Sequence, residues 1–167
     1  MAMVMIRKRI RGSYEYPYTV RQMARPTNTQ FALGVHMLTL LTADPRTMQS
    51  SEVLAGSAGS NPVHVRRVLG RLRRAGLVRS RPGPHGGWLP ANGAGATTLA
   101  DVWRAVNGDD PVLGLHGASP DCVVGQRIHD ALARIDRRAA AALVAELEHT
   151  TIEDLVRSTD AALPLSA

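Results

Sequence analysis

The chain is poor in cysteine, aromatic residues and lysine. Its 167 residues include one cysteine, one phenylalanine and one lysine. Cys122 alone excludes an intramolecular disulfide and any site built from several cysteines. With aromatics at 4%, a core has to be packed from aliphatic side chains. No run of 18 apolar residues occurs, so no transmembrane helix is expected. The start, Met1 to Arg11, lacks the apolar block and small-residue cleavage site of a secretion signal. A cytoplasmic protein is the simplest reading. Chemical motifs are missing as well: there is no Gly-rich phosphate loop, no paired carboxylates and no His-Glu-x-x-His. Cys122 and His129 are seven apart, which on a helix separates them by roughly 10 Å, too far for a nucleophile and its base. His116, in a loop, could approach Cys122, leaving a sensor role open beside the plainer reading of a cysteine with no task. No enzyme, no metal site and no cofactor are expected.

What is present is positive charge, unevenly placed. Residues 1–99 hold fourteen of the twenty basic side chains and three of the fourteen acids, whereas residues 100–167 are acidic overall. The front half therefore carries a field that seeks polyanions. The charge peaks between Asn61 and Arg81, with seven arginines and no acid.

Periodicity and punctuation divide the chain. Residues 1–26 form a basic arm with Tyr14, Tyr16, Tyr18, Pro17 and Pro26. The arm is read as disordered or, in the alternative, as a DNA-contacting tail. Thr29 to Leu41 is expected as a first helix, with Phe31, Val35, Leu38 and Leu41 on its apolar face, Leu33, Met37 and Leu40 beside it, and Asp44-Pro45 ending it. Ser51 to Ala58 is a second, capped by Ser50 or Ser51, with Val53, Leu54 and Ala58 buried. Pro62 to Ala75 is a third, with Asn61 as cap, proline at the first position and Gly76 as the stop. Leu77 to Ser80 and Trp88 to Pro90 read as a hairpin around Pro82 to Gly87. Thr98 to Asn107 is a fourth helix, Thr98 and Asp101 resembling a capping box. A loop from Asp109 to Pro120 leads to a long helix, Cys122 to His149, and a short one, Thr151 to Arg157.

At 100° per residue the third helix sorts cleanly. Val65, Val68, Leu69 and Leu72 form one apolar stripe. Val63, Arg67, Gly70 and Arg74 centre the opposite face, flanked by His64, Arg66, Arg71 and Arg73. Arginines without an acid in their own helix repel one another, and phosphates relieve that repulsion. Val63, β-branched and pointing away from the core, suits contact with thymine methyl groups in a major groove, although a half-buried first-turn residue explains it equally well. Arg79 and Arg81 at the base of the hairpin, and His85 and Gly86 at its tip, suit backbone contacts.

These motifs in combination resemble the Rrf-two family of winged-helix regulators. The resemblance runs from about Asn28 to Arg157. It is carried by Ser50-Ser51, Asn61-Pro62-Val63, Val65-Arg66-Arg67, Leu72 through Val78, the Gly83-Pro84-His85-Gly86-Gly87-Trp88 loop, and Thr98 through Val106. It implies a bacterial homodimer that binds a pseudo-palindromic operator and usually represses. Cluster-binding members carry three cysteines before the long helix. This chain has only Cys122, within Pro-Asp-Cys-Val-Val-Gly, similar to the YwnA-typified branch that lacks the cluster, so an iron–sulfur cluster is not expected.

In the long helix Val124, Ile128, Leu132, Ile135, Ala139, Leu143 and Leu147 recur at steps of three or four. Such a helix spans roughly 40 Å, more than four short helices can cover. The seam is therefore expected to pair with its copy in a second chain, the alternative being a helix folded back over its own domain.

The expected fold is mainly α: a winged helix-turn-helix with a small β-hairpin wing and a long C-terminal dimerisation helix. The expected divisions are an arm over 1–26, a DNA-binding domain over 27–108, dimerisation elements over 109–158 and a flexible tail over 159–167. The expected function is a sequence-specific DNA-binding transcriptional regulator, a homodimeric repressor, with Ser50, Ser51, Asn61, Val63, His64, Arg66, Arg67, Arg71, Arg74, Arg79, Arg81, His85 and Gly86 facing DNA. The effector, small-molecule or redox, is left open, and no membrane partner is expected. The alternatives are an architectural nucleic-acid-binding protein without sequence choice, and a thiol-based redox sensor acting through Cys122 and His116.

Overall fold

The computed structural model describes residues 29–162 other than His85 and His116. The expected basic arm, most of the expected tail, and these two histidines lie outside the described residues. The elements are α1 (Thr29–Ala43), α2 (Ser51–Ser57), α3 (Pro62–Arg74), β1 (Val78–Arg81), β2 (Gly87–Pro90), α4 (Leu99–Asn107), α5 (Val123–Leu147) and α6 (Ile152–Ala162). A 3-10 turn, Ala94–Ala96, lies between β2 and α4.

The core collects on α1. Met37, Leu38 and Leu41 are fully buried there, together with Leu54 of α2, the Val65, Val68, Leu69 and Leu72 stripe of α3, Val102 of α4 and Ile152 of α6. The stripe expected for α3 is thus the buried one. The face expected for α1 is only partly right: Phe31 and Val35 pack at the margin, while Leu33 and Met37 point inward. The reason is that α1 is enclosed on several sides, by α3, α4, α6 and β2, so its apolar residues need not share one stripe. Gly34 permits the approach of α4, since a Cβ there would meet Val102 Cγ1 at 3.2 Å and Val106 Cγ1 at 3.3 Å. Removing one fully enclosed side chain tests this packing. Leu69→Ala is expected to lower unfolding stability by about 2–5 kcal/mol, read as an earlier urea midpoint with an unchanged slope.

Local sequence explains the ends of these helices. Ser50 Oγ accepts from Val53 N at 3.2 Å and Asn61 Oδ1 from Val63 N at 2.8 Å, each satisfying a first-turn donor. After α3, Gly76 takes φ 77°, a region glycine enters without strain. Val53, expected in the core, is 61% exposed. The buried positions of α2 are Ser51, Leu54 and Ala55, spaced i, i+3, i+4, and Val53 falls opposite them.

The hairpin pairs Val78 with Pro90 and Arg81 with Gly87, antiparallel. Thr98 and Asp101 form the expected capping box at α4, and Thr151 and Asp154 repeat the same reciprocal bonds before α6. The two caps lie side by side: Leu99 N donates to Thr150 O and Ile152 N to Thr97 O, both at 2.9 Å. In this way the chain leaves α4 at its C-terminal end and is brought back by α5 to the start of the same helix. Helix α6 then packs on α1 and continues to Ala162, past the Arg157 expected as its end. Burial of Ile152 and packing of Val156 hold it where the polar Ser-Thr-Asp run alone gives little helical preference.

Helix α5 begins one residue later than expected and ends at Leu147. Its only buried residue is Asp136. Cys122 is its N-cap, with Sγ accepting from Gly125 N at 3.2 Å. Among the described residues no helix is long and apolar enough to cross a membrane.

Candidate nucleic-acid interface

Helix α3 is fixed by its buried stripe, so its opposite face is fixed too. Val63 stands 62% exposed on the first turn. Arg67 and Arg74 are exposed, and neither has an ion-pair partner among the described residues. Gly70 lies between them, with no atom within 4 Å of where a Cβ would stand. Among the described residues no other element therefore uses its small size.

One flank of α3 meets the wing. Arg66, Arg73, Arg81, Ser50, Ser80 and Trp88 line an open groove of about 650 Å³ between α2, α3 and the hairpin. Arg66 donates through Nε to Pro62 O at 3.3 Å, and its Nη2 lies 3.6 Å from Glu52 Oε1. Arg73 Nη1 donates to Ser80 Oγ at 3.0 Å, joining the end of the helix to the wing. Hydrogen bonds from the Glu52 backbone and from Ser50 hold the Glu52 carboxyl below the usual carboxylate range, aided by Arg66 and opposed by slight desolvation. Glu52 thus stays ionised beside the arginines and limits their local excess of charge.

The wing is latched to the helices. Gln49 and Trp88 exchange backbone bonds, N to O, at 3.1 and 2.9 Å, and Trp88 Nε1 donates to Ser51 Oγ at 3.1 Å. A Cβ on Gly87 would meet Gln49 O at 2.8 Å, so only glycine fits that crossing without displacement. A hairpin held in this way keeps Arg81 and Ser80 at a set distance from α3.

The structure sorts the residues expected to face a ligand. Val63, Arg66, Arg67, Arg74 and Arg81 lie exposed on or beside the α3 face, and Asn61 and Ser50 are exposed or half-exposed caps. Ser51 does not belong with them: it is 7% exposed and its hydroxyl accepts the Trp88 indole proton. Arg71 turns away, donating to the carbonyl of Val106 at the end of α4, because its position on α3 borders that helix. Arg79 donates through Nε to Pro90 O at 3.3 Å and lines a separate pocket beside Pro45 and Gly93. His64 is half-buried and lines a cavity with His36 between α1 and the turn before α3. Gly86 lies where the hairpin turns, and His85 is outside the described residues. Sequence reasoning left Arg73 out of the expected contact set and missed Ser80, Gln49, Glu52 and Trp88. A pairing pattern placing Trp88 opposite Gln49 would have been needed to find the latch, and no local signal carries it.

On α5, Val124, Ile128 and Ile135 are 67%, 49% and 51% exposed, while Leu132, Ala139, Leu143 and Leu147 are half-buried. The N-terminal part of the seam is thus open to solvent, while the C-terminal part of α5 packs beside α4.

A family model described as "Iron-dependent Transcriptional regulator" (Rrf2) matches residues 27–158. YwnA of Bacillus subtilis, assigned as an HTH-type transcriptional regulator, is 33% identical over 130 residues, which cover 77% of this chain and 96% of that protein. The fold is shared with CymR of B. subtilis, described as a global cysteine regulator, at a TM-score of 0.54 and 24% identity over 79% of this chain and 96% of that one. It is shared also with T. potens IscR, at 0.57 and 20% over 87% and 96%. These relatives are transcriptional regulators rather than enzymes. The residues present do not fit the iron site that the family description suggests. The chain has one cysteine, the exposed cap of α5, and no group of three His, Cys, Asp or Glu among the described residues could hold a metal ion. Fold, helix-turn-helix and wing together with the family match over residues 27–158 lead to one conclusion: the chain belongs to the Rrf2 family of winged-helix transcriptional regulators.

Proposed function

We propose that this protein is a homodimeric regulator that reads a pseudo-palindromic operator with α3 in the major groove. The observation that carries this reading is the arginine-lined groove between α3 and the latched wing, open to solvent and continuous with the exposed Val63, Arg67 and Arg74 face. Phosphates of one strand fit that groove, met by Arg66, Arg73, Arg81 and the hydroxyls of Ser50 and Ser80. Val63, Arg67 and Arg74 then face base edges and the opposite strand. Pairing of α5 seams through Val124, Ile128, Leu132, Ile135, Ala139, Leu143 and Leu147 presents two copies of α3. A symmetric pair of this kind meets half-sites about 34–36 Å apart. Action as a repressor rests on the family resemblance.

The test is a fluorescence-anisotropy titration on duplexes selected from a random pool. The intact protein is expected to prefer its selected duplex over bulk DNA by about a thousandfold or more. Arg67→Ala is expected to weaken binding about tenfold and to reduce the log–log salt slope by about one. Equal competition by bulk DNA would instead support an architectural protein without sequence choice. An unchanged slope would remove Arg67 from the interface.

A further inference from the structure

Helix α3 carries a glycine that its own chain does not use. Gly70 lies in the interior of the helix, which runs from Pro62 to Arg74. Glycine in such a place is about four- to fivefold less favourable than alanine in the helical equilibrium, because its backbone has more freedom to lose. Two internal causes account for a glycine of this kind. A neighbouring element needs the space, as α4 does at Gly34, or the backbone takes a positive φ. Neither holds at Gly70. Among the described residues no side chain, and no backbone of another element, lies within 4 Å of where its Cβ would stand, and its φ is not positive. An alanine would meet nothing in the folded chain.

The position of Gly70 points to what uses the space. Steps of four, three and four residues put Val63, Arg67, Gly70 and Arg74 on one stripe, opposite the buried Val65, Val68, Leu69 and Leu72. Gly70 stands about 4.5 Å along the axis from Arg67 and about 6 Å from Arg74. Both arginines are exposed, and neither has an ion-pair partner among the described residues. The stripe is therefore cationic, with a notch in its middle. A phosphate does not suit the notch itself, because the N–H of an interior residue is bonded within the helix and glycine has no other donor. What glycine presents is bare Cα hydrogens, against which an apolar group can lie at close range. On a duplex the groups of that kind are the thymine methyl in the major groove and the deoxyribose of the strand.

We propose that Gly70 is the point of closest approach between α3 and its duplex, seating a thymine methyl or a deoxyribose between Arg67 and Arg74. The inference rests on the function proposed above and adds to it the residue that sets how deeply α3 enters the groove. An added methyl group holds the helix off the DNA there, so the contacts of both arginines lengthen together. Gly70→Ala separates this role from packing, because its two effects have opposite signs. The Tm of the full chain is expected to rise by about 2–5 °C, whereas affinity for the selected duplex is expected to fall at least about tenfold. Gly56 is the comparison: it too is a helical glycine with nothing within 4 Å, on α2 and outside the groove. Gly56→Ala is expected to leave affinity unchanged. The occupant is named by replacing thymines of the selected duplex with deoxyuridine, one at a time. A position where the intact protein loses about three- to fivefold and the Gly70→Ala protein loses nothing assigns a thymine methyl to the notch. A tenfold loss from Gly70→Ala without such a position assigns a deoxyribose. If the intact protein prefers one duplex and Gly70→Ala binds it as tightly, or Gly56→Ala weakens binding equally, the role of Gly70 is overturned and the proposed function stands. If the intact protein prefers no duplex over bulk DNA, the proposed function fails and this inference with it.

Discussion

Replacing Ile128 and Ile135 together by glutamate is expected to give a monomer and to cut affinity for a selected two-half-site duplex about a hundredfold or more. The two isoleucines are about half exposed on α5, at positions of the seam that the rest of the chain leaves open. If a second α5 covers them, each glutamate places an unpaired charge in an apolar contact, at a cost of several kcal/mol. Loss of pairing then removes the linked second half-site, and linkage of this type commonly multiplies affinity by about 10²–10⁴. The folded domain should persist, because neither residue belongs to its core cluster. Sedimentation velocity with circular dichroism separates the outcomes. A variant that remains dimeric would refute the seam. A monomer that grips the same duplex as tightly as before would refute the need for two copies.

Gly86→Ala is expected to dismantle the wing while sparing the rest. A Cβ at Gly86 would lie 2.1 Å from Arg81 O and 2.8 Å from the Pro82 carbonyl carbon. Both are backbone atoms, so no side chain can swing aside. The turn has to open, and with it goes the Arg81–Gly87 pairing that closes the hairpin. Arg81 and Ser80 then lose their fixed distance from Arg66 and Arg73 across the groove. Affinity for duplex DNA is expected to fall at least about tenfold, with a lower salt slope as phosphate contacts are lost. Thermal stability should change far less, because the side chains that tie the hairpin to the main core, Val78 and Trp88, lie away from the turn. Equal affinity in the variant would show that the wing takes no part.

Much of the domain was legible because its signals are local. Asn61-Pro62 and Gly76 bracket α3, and its apolar stripe has one phase, so the outward placement of Val63, Arg67 and Arg74 follows from helical period alone. Thr98 and Asp101 are three apart and cap one another without outside help. The hairpin was legible to within a residue, since the Pro-Gly-Pro-His-Gly-Gly segment admits little but a turn.

The contacts that were missed are long-range or depend on where a long side chain swings. Arg71 and Arg73 are two apart on one helix and equally charged, yet one reaches Val106 O and the other Ser80 Oγ. Period assigns them opposite flanks but not what stands beside each flank. Ser51 and Ser50 are neighbours of one type, and only the arrival of Trp88 from 37 residues away separates a buried acceptor from an exposed cap. Val53 was misplaced because a helix of seven residues has too few turns for its apolar phase to be read.

The amino-acid order by itself determined the helices, their caps, the wing and the sign of the charge that α3 carries outward, since each depends on residues within a few positions of one another. Tertiary structure decided which arginines share a groove, how the wing is tied to α2, and that Asp136 lies buried across from Leu113. Those outcomes depend on surfaces brought together from distant parts of the chain, and no local preference encodes which neighbour will arrive.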